Sequence, residues 1–308
     1  MTYLVTGATG FIGAYVVHEL LGAGEAVIAF DRSPRGTIEK IFGRGAKDIP
    51  VVVGDVADMA SLLRVISDHR VNRIIHLAAE LHIASRENPR LCLQSNVIGL
   101  HSVLEAARVT GVAKVVTASS TGVFGAAGSH SPGPIPNDGA LIPRIDVYDA
   151  SKVFGEHLVA HYVDQGLLDA VALRVGIVYG FGMLAGIGWR LMDELVMKPL
   201  RGEPGVVPFG DDVMNWTYVK DTAGAFLLAS SSPYQGVAAY SVRGDLRSVR
   251  DAVAAAQRLL PLAAIRADRG RHGWEQDFDD SVFREHTGYA PAWRLEDGLR
   301  DTLEMART

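Results

Sequence analysis

The sequence predicts an α/β protein built on a doubly wound parallel sheet, and three observations carry that reading. Short apolar runs of strand length alternate with stretches of helical spacing through residues 1–180. The strand runs are apolar at consecutive positions, as in sheets covered on both faces. A glycine-rich turn, Thr6-Gly7-Ala8-Thr9-Gly10-Phe11-Ile12-Gly13, stands where the first strand meets the first helix.

The elements follow in order. Residues 3–6 form a short apolar strand, and residues 11–21 place Ile12, Val16 and Leu20 on one helical face. Further buried-strand runs occupy residues 26–30, 51–53, 73–77, 114–117 and 170–175, separated by helices of which 96–109 and 148–165 are the clearest. After Gly180 the rhythm loosens. Residues 182–188 are rich in glycine and 199–210 in proline and glycine, so both read as loops. Residues 216–230 return to strand then helix, 238–242 read as a strand, and 250–260 and 295–305 as helices. Residues 129–143, with Pro132, Pro134, Pro136 and Pro143, form a long loop just before Tyr148, and loops of that length are usually functional or mobile.

Composition narrows the function classes. A chain of 308 residues with 48% hydrophobic and 21% charged residues buries a sizeable core. A net charge of -5, with basic residues scattered, gives no electrostatic case for nucleic acid or an anionic membrane. Cys92 is the single cysteine, so neither an internal disulfide nor a thiolate metal site is expected. It reads as a buried, inert thiol in a reducing compartment. No basic segment precedes the first strand and no apolar run is long enough to span a bilayer, so a cytoplasmic protein is expected. No metal-ligand constellation stands out.

The glycine turn suits a dinucleotide. Gly7, Gly10 and Gly13 allow a tight turn, close backbone approach to a pyrophosphate and tight helix–strand packing. The helix N-terminus then offers free N–H groups and a favourable dipole. The spacing is G-x-x-G-x-x-G rather than G-x-G-x-x-G. Asp31 closes the second strand, where an acid bonds ribose hydroxyls and repels a 2′-phosphate, which favours NAD. Arg32 and Arg35 follow at once and leave NADP open. Asp55, in Gly54-Asp55-Val56, is either an adenine-side contact or a solvated turn aspartate. The expected organisation is a Rossmann-type dinucleotide domain over 1–180 that also receives 216–244, with 181–215 and 245–308 forming a smaller, mostly helical C-terminal substrate lobe.

Tyr148 and Lys152 lie one helical turn apart. A tyrosine titrates near pH ~10, and a cation about 4 Å away at intermediate dielectric contributes roughly 4 kcal/mol before solvation losses. The spacing therefore predicts a phenol pulled down toward a usable acid/base.

Together these segments resemble the extended short-chain dehydrogenase/reductase superfamily, the NAD-dependent epimerase/dehydratase family. The resemblance covers essentially the whole chain. It rests on the glycine turn, Asp55, His76-Leu77-Ala78-Ala79, Asn96, the segment from Ser119 to Gly125, Tyr148/Lys152, the segment from Leu173 to Gly180, and the segment from Tyr218 to Asp221. It implies that Ser120 hydrogen-bonds the substrate oxygen, Tyr148 moves its proton, and Lys152 binds the nicotinamide ribose. It also implies cofactor contacts from Gly7, Gly10, Phe11, Ile12, Gly13, Asp31, Arg32, Asp55, Val56, Leu77, Ala78, Ala79 and Asn96, beside Tyr148 and Lys152. Ser120 as a turn serine, with Thr121 as the working hydroxyl, stays open. In the family, helices matching 96–109 and 148–165 pair across a two-fold axis, which implies a homodimer.

Departures from the family pattern shape the expected reaction. Family dehydratases carry acids directly after the catalytic hydroxyl, where this chain has Thr121 and Gly122. Nucleotide-sugar enzymes carry an arginine where this chain has Met214, and often an asparagine where Ile177 stands. Arg190 or Arg201 are the substitutes at hand. The resulting expectation is an NAD(P)-dependent oxidoreductase that interconverts a secondary alcohol and a ketone on a small, non-nucleotide substrate. The alternative is an NAD-dependent sugar or nucleotide-sugar epimerase with transient hydride transfer. His82, Thr121, Gly176 and Trp216 are candidate substrate contacts, although His82 reads equally as an idle loop histidine. Trp189, Trp216, Met183 and Met192 read more readily as core, and His76 as a packed strand residue near the cofactor. His272, His286 and the acidic run 277–280 read as solvated surface.

Overall fold

In the computed structural model, which describes residues 1–34, 36–43, 45, 49–273 and 277–307, the chain alternates strand and helix as expected. The order begins β1 (Thr2–Thr6), α1 (Phe11–Gly22), β2 (Ala26–Asp31), α2 (Thr37–Phe42), β3 (Val51–Val53), α3 (Met59–His69) and β4 (Arg73–His76). It continues with the short helices α4 (His82–Glu87) and α5 (Pro89–Cys92), a π-helical turn over Leu93–Ile98, α6 (Gly99–Thr110), β5 (Lys114–Ser120) and α7 (Val147–Asp164). β6 (Ala170–Val175), β7 (Ile177–Tyr179), α8 (Gly186–Met192), α9 (Lys198–Leu200), β8 (Gly205–Val207), β9 (Val213–Tyr218) and α10 (Val219–Ser231) follow. The chain closes with β10 (Ala239–Ser241), β11 (Asp245–Ser248), α11 (Val249–Leu259), β12 (Ile265–Ala267), α12 (Ser281–Thr287) and α13 (Leu295–Arg307).

Seven strands form one parallel sheet in the order β10-β6-β5-β4-β1-β2-β3. Strand order reverses beside β1, so the C-terminal ends of β1 and β4 flank the crevice where such sheets bind ligands. Adjacent residues serve opposite faces. Val5, Ala29, Ile75 and Val116 join one apolar cluster, while their neighbours Leu4, Phe30, Ile74 and Val115 join the other. Burial on both faces explains why these strands read as continuous apolar runs. β7 leaves the central sheet to pair with β9, itself paired antiparallel with β11, and β8 pairs with β12. Among the described residues no helix is long and apolar enough to cross a membrane.

Several local expectations need correction: residues 199–210, read as a loop, carry the strand β8 paired with β12. The helix read from residue 96 is preceded without a break by the π turn and α5, and the run 114–117 continues as strand to Ser120. The run 277–280 and His286 are not solvated surface. Asp277 accepts both nitrogens of the Arg243 fork, at 2.7 and 2.9 Å, and its carbonyl accepts the Ile135 N–H at 2.8 Å. Phe278 is buried and stacks on Phe124, Asp280 is buried, and His286 Nδ1 lies 2.6 Å from the Tyr240 hydroxyl. Their partners lie on distant segments, including the long loop before Tyr148, and local composition carries no trace of them.

α7 is anchored to the sheet by a buried polar contact. Glu156 takes the Arg174 guanidinium at 2.7–3.1 Å and the Ser119 hydroxyl at 2.5 Å. Both charged side chains are buried, and breaking a buried pair strands its partner. Glu156→Gln is expected to cost about 3–5 kcal/mol of unfolding free energy, measured by urea denaturation, while Leu158→Ala on the same helix, away from the pair, serves as the packing control.

Candidate active site

The turn between β1 and α1 is built on close backbone approach. Gly7 has φ +68°, and a Cβ there would lie 2.6 Å from the Ala78 nitrogen. A Cβ at Gly13 would lie 2.1 Å from the Gly7 carbonyl oxygen, whereas at Gly10 the nearest neighbour is 3.1 Å away. Leu77 donates its N–H to the Thr6 carbonyl at 3.0 Å, which extends the β1–β4 pairing into this contact. Helix geometry leaves the first-turn N–H groups of α1, at Phe11, Ile12 and Gly13, without intrahelical acceptors. The result is an anion cradle at a helix N-terminus.

Asp31 ends β2 beside this cradle, its carboxylate accepting the Thr9 N–H at 3.0 Å and the Ser33 N–H at 3.3 Å. Arg32 is drawn away into an ion pair with Glu80. Arg35 lies outside the described residues. Asp55 is exposed and its carboxylate accepts the Ala57 N–H at 2.8 Å, the geometry of a solvated turn. Val56 is buried, close enough to α6 that a Cβ on Gly99 would meet its methyl at 2.6 Å.

Asn96 sits in the π turn and is buried. Its amide oxygen accepts the Glu80 N–H at 2.8 Å, while its nitrogen donates to the Glu80 carbonyl at 3.0 Å and to Ser151 Oγ at 3.1 Å. One side chain thus ties the loop after Leu77-Ala78-Ala79 to α7. His76 faces the same region, its Nδ1 2.7 Å from the Thr6 hydroxyl, and burial followed by the Lys152 charge pushes it down to about 3. Cys92 is buried, which pushes its thiol up.

Ser120, Tyr148 and Lys152 come together at the C-terminal end of β5. Ser120 closes the strand and its Oγ accepts the Gly122 N–H at 3.0 Å, so it caps the 3₁₀ turn over Thr121–Phe124. Asp146 caps α7 by accepting the Tyr148 N–H at 2.8 Å. The Tyr148 ring is buried, and the Ser120 side chain stands close enough to act on its hydroxyl. Lys152 Nζ donates to the Ala118 carbonyl at 2.8 Å and lies 5.5 Å from the centre of the Tyr148 ring.

The electrostatics differ from the expectation. Lys152 does not pull the phenol below its ordinary value. Burial pushes Tyr148 up to about 12, Ser120 opposes this, and the nearby acidic groups reinforce it. Burial pushes Lys152 down to about 8. Both charged forms are disfavoured because the pair lies under the sheet edge rather than on an open helix face.

The other candidates separate. His82 opens α4 with its ring against Tyr148, centroids 4.2 Å apart, and its nitrogens face Asp146 at 3.3 Å and Asp149 at 3.6 Å. It stands on a short helix against the phenol rather than in an open loop. A Cβ on Gly176 would approach Thr121 Cγ2 to 3.8 Å, so these two are neighbours beside Ser120. Trp216 belongs to the core: it is fully buried, donates to the Arg247 carbonyl at 3.0 Å and packs edge-on against Tyr179. Strand alternation turns Met214 the same way, also fully buried. Met192 is core, whereas Trp189 is at the surface.

Sequence reading offered Arg190 as a substitute cation but missed the aromatic group it joins. The Arg190 guanidinium lies 5.4 Å over the Phe209 ring, and the His272 ring meets Phe209 edge-on at 4.9 Å. Burial lowers His272, Asp212 opposes this, and Arg144 and Arg190 lower it further, so both arginines act on one imidazole. Arg144 in turn bonds Asp149 at 3.0 Å, one residue past Tyr148. His272 is exposed, as expected, with its ring edge on Phe209. Asp146 was findable as an N-cap; the spatial group had no sequence signal.

Comparison with known proteins places these features in context. Residues 3–242 match the model of a family described as the NAD dependent epimerase/dehydratase family. The UDP-glucose 4-epimerase of Mycolicibacterium smegmatis is 29% identical over 322 aligned residues, covering 100% of this chain and 99% of that protein. The dTDP-glucose 4,6-dehydratase of Xanthomonas campestris pv. campestris is 27% identical, covering 100% and 93%. A crystal structure of Thermus thermophilus UDP-glucose 4-epimerase in complex with NAD superposes with a TM-score of 0.84 at 27% identity, covering 100% and 99%.

The buried ammonium predicts a pH signature. Between about 8 and its ordinary value the unfolded chain holds the Lys152 proton while the folded chain has lost it, so stability rises with pH through this window. Below about 8 the folded protein carries the desolvation cost in full. Lys152→Met is therefore expected to gain on the order of 1–2 kcal/mol at pH 7, net of the lost bond to Ala118. Urea midpoints at pH 7 and pH 10 check this, the gain shrinking at the higher pH.

Proposed function

Because this chain belongs to the NAD dependent epimerase/dehydratase family, we propose that it is an NAD-dependent epimerase. It inverts a secondary-alcohol carbon of a nucleotide-linked sugar through hydride transfer out and back. The observation that carries this reading is the Ser120–Tyr148–Lys152 cluster standing beside the glycine cradle, with Thr121 and Gly122 in place of acids.

The cradle fits a pyrophosphate. Its backbone contacts leave no room for a Cβ at Gly7 or Gly13, and its helix N-terminus presents Phe11, Ile12 and Gly13 N–H groups. Asp31 stands where a carboxylate receives ribose hydroxyls. With Arg32 committed to Glu80, that neighbourhood favours NAD over a 2′-phosphorylated cofactor. NAD held in this cradle would supply a reversible hydride acceptor for the carbinol carbon.

The chain's own residues then supply orientation and proton transfer. Ser120 Oγ and Tyr148 Oη bracket the carbinol oxygen. Tyr148 takes the hydroxyl proton as the hydride departs and gives it back as the hydride returns. Lys152 supplies positive charge beneath the phenol. Thr121 and Gly122 carry no group that removes a proton from the neighbouring carbon at neutral pH. The expectation of a non-nucleotide substrate rested on Ile177 together with Met214. The Met214 side chain is packed in the core, and the Arg190–Phe209–His272 group with Arg144 provides cations and a ring by another route. A diphosphate and an attached base suit that chemistry. The named relatives that act on UDP- and dTDP-sugars support the same substrate class.

A homodimer accompanies this reading, supported by the exposed apolar side chains Leu93, Ile98 and Phe154 on the π turn and α7. Sedimentation equilibrium of wild type and Phe154→Glu checks it, the variant sedimenting as a monomer.

The direct test incubates NAD-loaded protein with UDP-glucose, UDP-galactose and dTDP-glucose. Interconversion without net reduced nicotinamide is expected, and Tyr148→Phe is expected to slow it by about 10²–10⁴-fold. Accumulation of reduced nicotinamide with release of a ketone overturns the epimerase in favour of a one-way dehydrogenase.

A further inference from the structure

Asp149 is a fully buried carboxylate directly after Tyr148. One oxygen accepts the Arg144 Nε–H at 3.0 Å. The other, Oδ1, has no hydrogen-bond partner among the described residues and points at Gly122, where a Cβ would come within 2.3 Å of it and within 3.2 Å of Ser120 Oγ. Gly122 is thus the residue that makes room for this carboxylate beside the Ser120–Tyr148 pair. The same oxygen lies 3.6 Å from His82 Nε2, while His82 Nδ1 lies 3.3 Å from Asp146. The imidazole is held between two carboxylates and tilted 51° across the phenol ring.

We propose that Asp149 and His82 brace Tyr148 for proton transfer in both directions: Asp149, seated in the space Gly122 leaves and tied by Arg144, opposes loss of the phenol proton and fixes the imidazole across the phenol's face. This rests on the epimerase reading, since a phenol that must return its proton cannot be held too strongly as the anion, whereas a one-way oxidation has no such need. Asp149 is a positioning residue, enclosed away from any substrate.

Among the described residues, carboxylates and arginines surround the braced pair. Asp146 and Asp149 face the imidazole from α7 and Arg144 from the approach to α7, while Arg86 on α4 bonds the far oxygen of Asp146 at 3.2 Å. Around the phenol stand Ser120, Asp149, Cys92 and Asp146, with Lys152 on the ring. Burial and then the carboxylates hold the phenol proton on, and burial outweighs the two carboxylates in lowering His82.

The test reads Tyr148 directly and needs no substrate. Protein carrying ¹³Cζ-tyrosine is saturated with NAD, and the Tyr148 resonance is assigned among the nine tyrosines by its loss in Tyr148→Phe. The phenolate share at pH 10.5 is then compared between variants. Asp149→Asn is expected to raise it threefold or more, because a negative neighbour is lost while Arg144 remains. His82→Gln is expected to raise it too, by opening the ring face to water, and it serves alone if the first variant does not fold. An unchanged phenolate share in the folded variants overturns the proposal. Failure of epimerisation on any sugar leaves this readout intact, so the two readings fail separately.

Discussion

One helix face meeting one strand end organises this molecule. Tyr148, Lys152 and Glu156 succeed each other at four-residue intervals on α7, and β5 offers them Ser120, Ala118 and Ser119 in turn. Each side chain is polar, and the contact is buried. A helix that docks a polar stripe must satisfy it completely, or the burial cost exceeds what packing returns. Glu156 does this through Ser119 and Arg174, and Lys152 through the Ala118 carbonyl. Tyr148, at the end of the stripe nearest the C-terminal edge of the sheet, is left with Ser120, a hydroxyl that can exchange partners. On the proposed mechanism, the reacting group is the one member of the row not locked to the scaffold.

That placement sets the electrostatics. An exposed Tyr/Lys pair would lower the phenol by direct attraction, but burial taxes both charged forms here. It lowers the lysine and raises the phenol. The positive charge that favours the phenolate must then come from what binds in the adjoining cradle as well as from Lys152. In this reading the proton relay is coupled to cofactor occupancy: the enclosed phenol holds its proton until the site is loaded. The Arg144–Asp149–His82 arrangement acts in the same sense, as a fixed counterweight rather than as a reagent.

Much of this was legible in the residues. Continuous apolar strands, the glycine turn and the Tyr148/Lys152 spacing are local signals, and local signals survive translation into structure because they reflect backbone sterics and side-chain period. The order of segments then carried the family. What sequence could not carry was pairing across distance. Gly122 looks like a missing acid until Asp149 is seen occupying the space beside it. Met214 looks like a lost phosphate contact until strand alternation sends it to the core and Arg190 and His272 gather around Phe209. The acidic run at 277–280 looks solvated until Arg243 and Ile135 arrive from elsewhere. For Gly122 and the acidic run, a residue's meaning depended on a neighbour more than twenty-five positions away.

The central claim is that the hydride leaves and returns at one carbon of a nucleotide sugar while Tyr148 holds the proton. NAD-loaded protein given UDP-glucose deuterated at the carbon that inverts tests it most directly. The predicted result is an inverted sugar that keeps its deuterium, with none lost to solvent and no labelled reduced nicotinamide released. Product with solvent hydrogen at that carbon, or deuterium accumulating in free reduced nicotinamide, would contradict it.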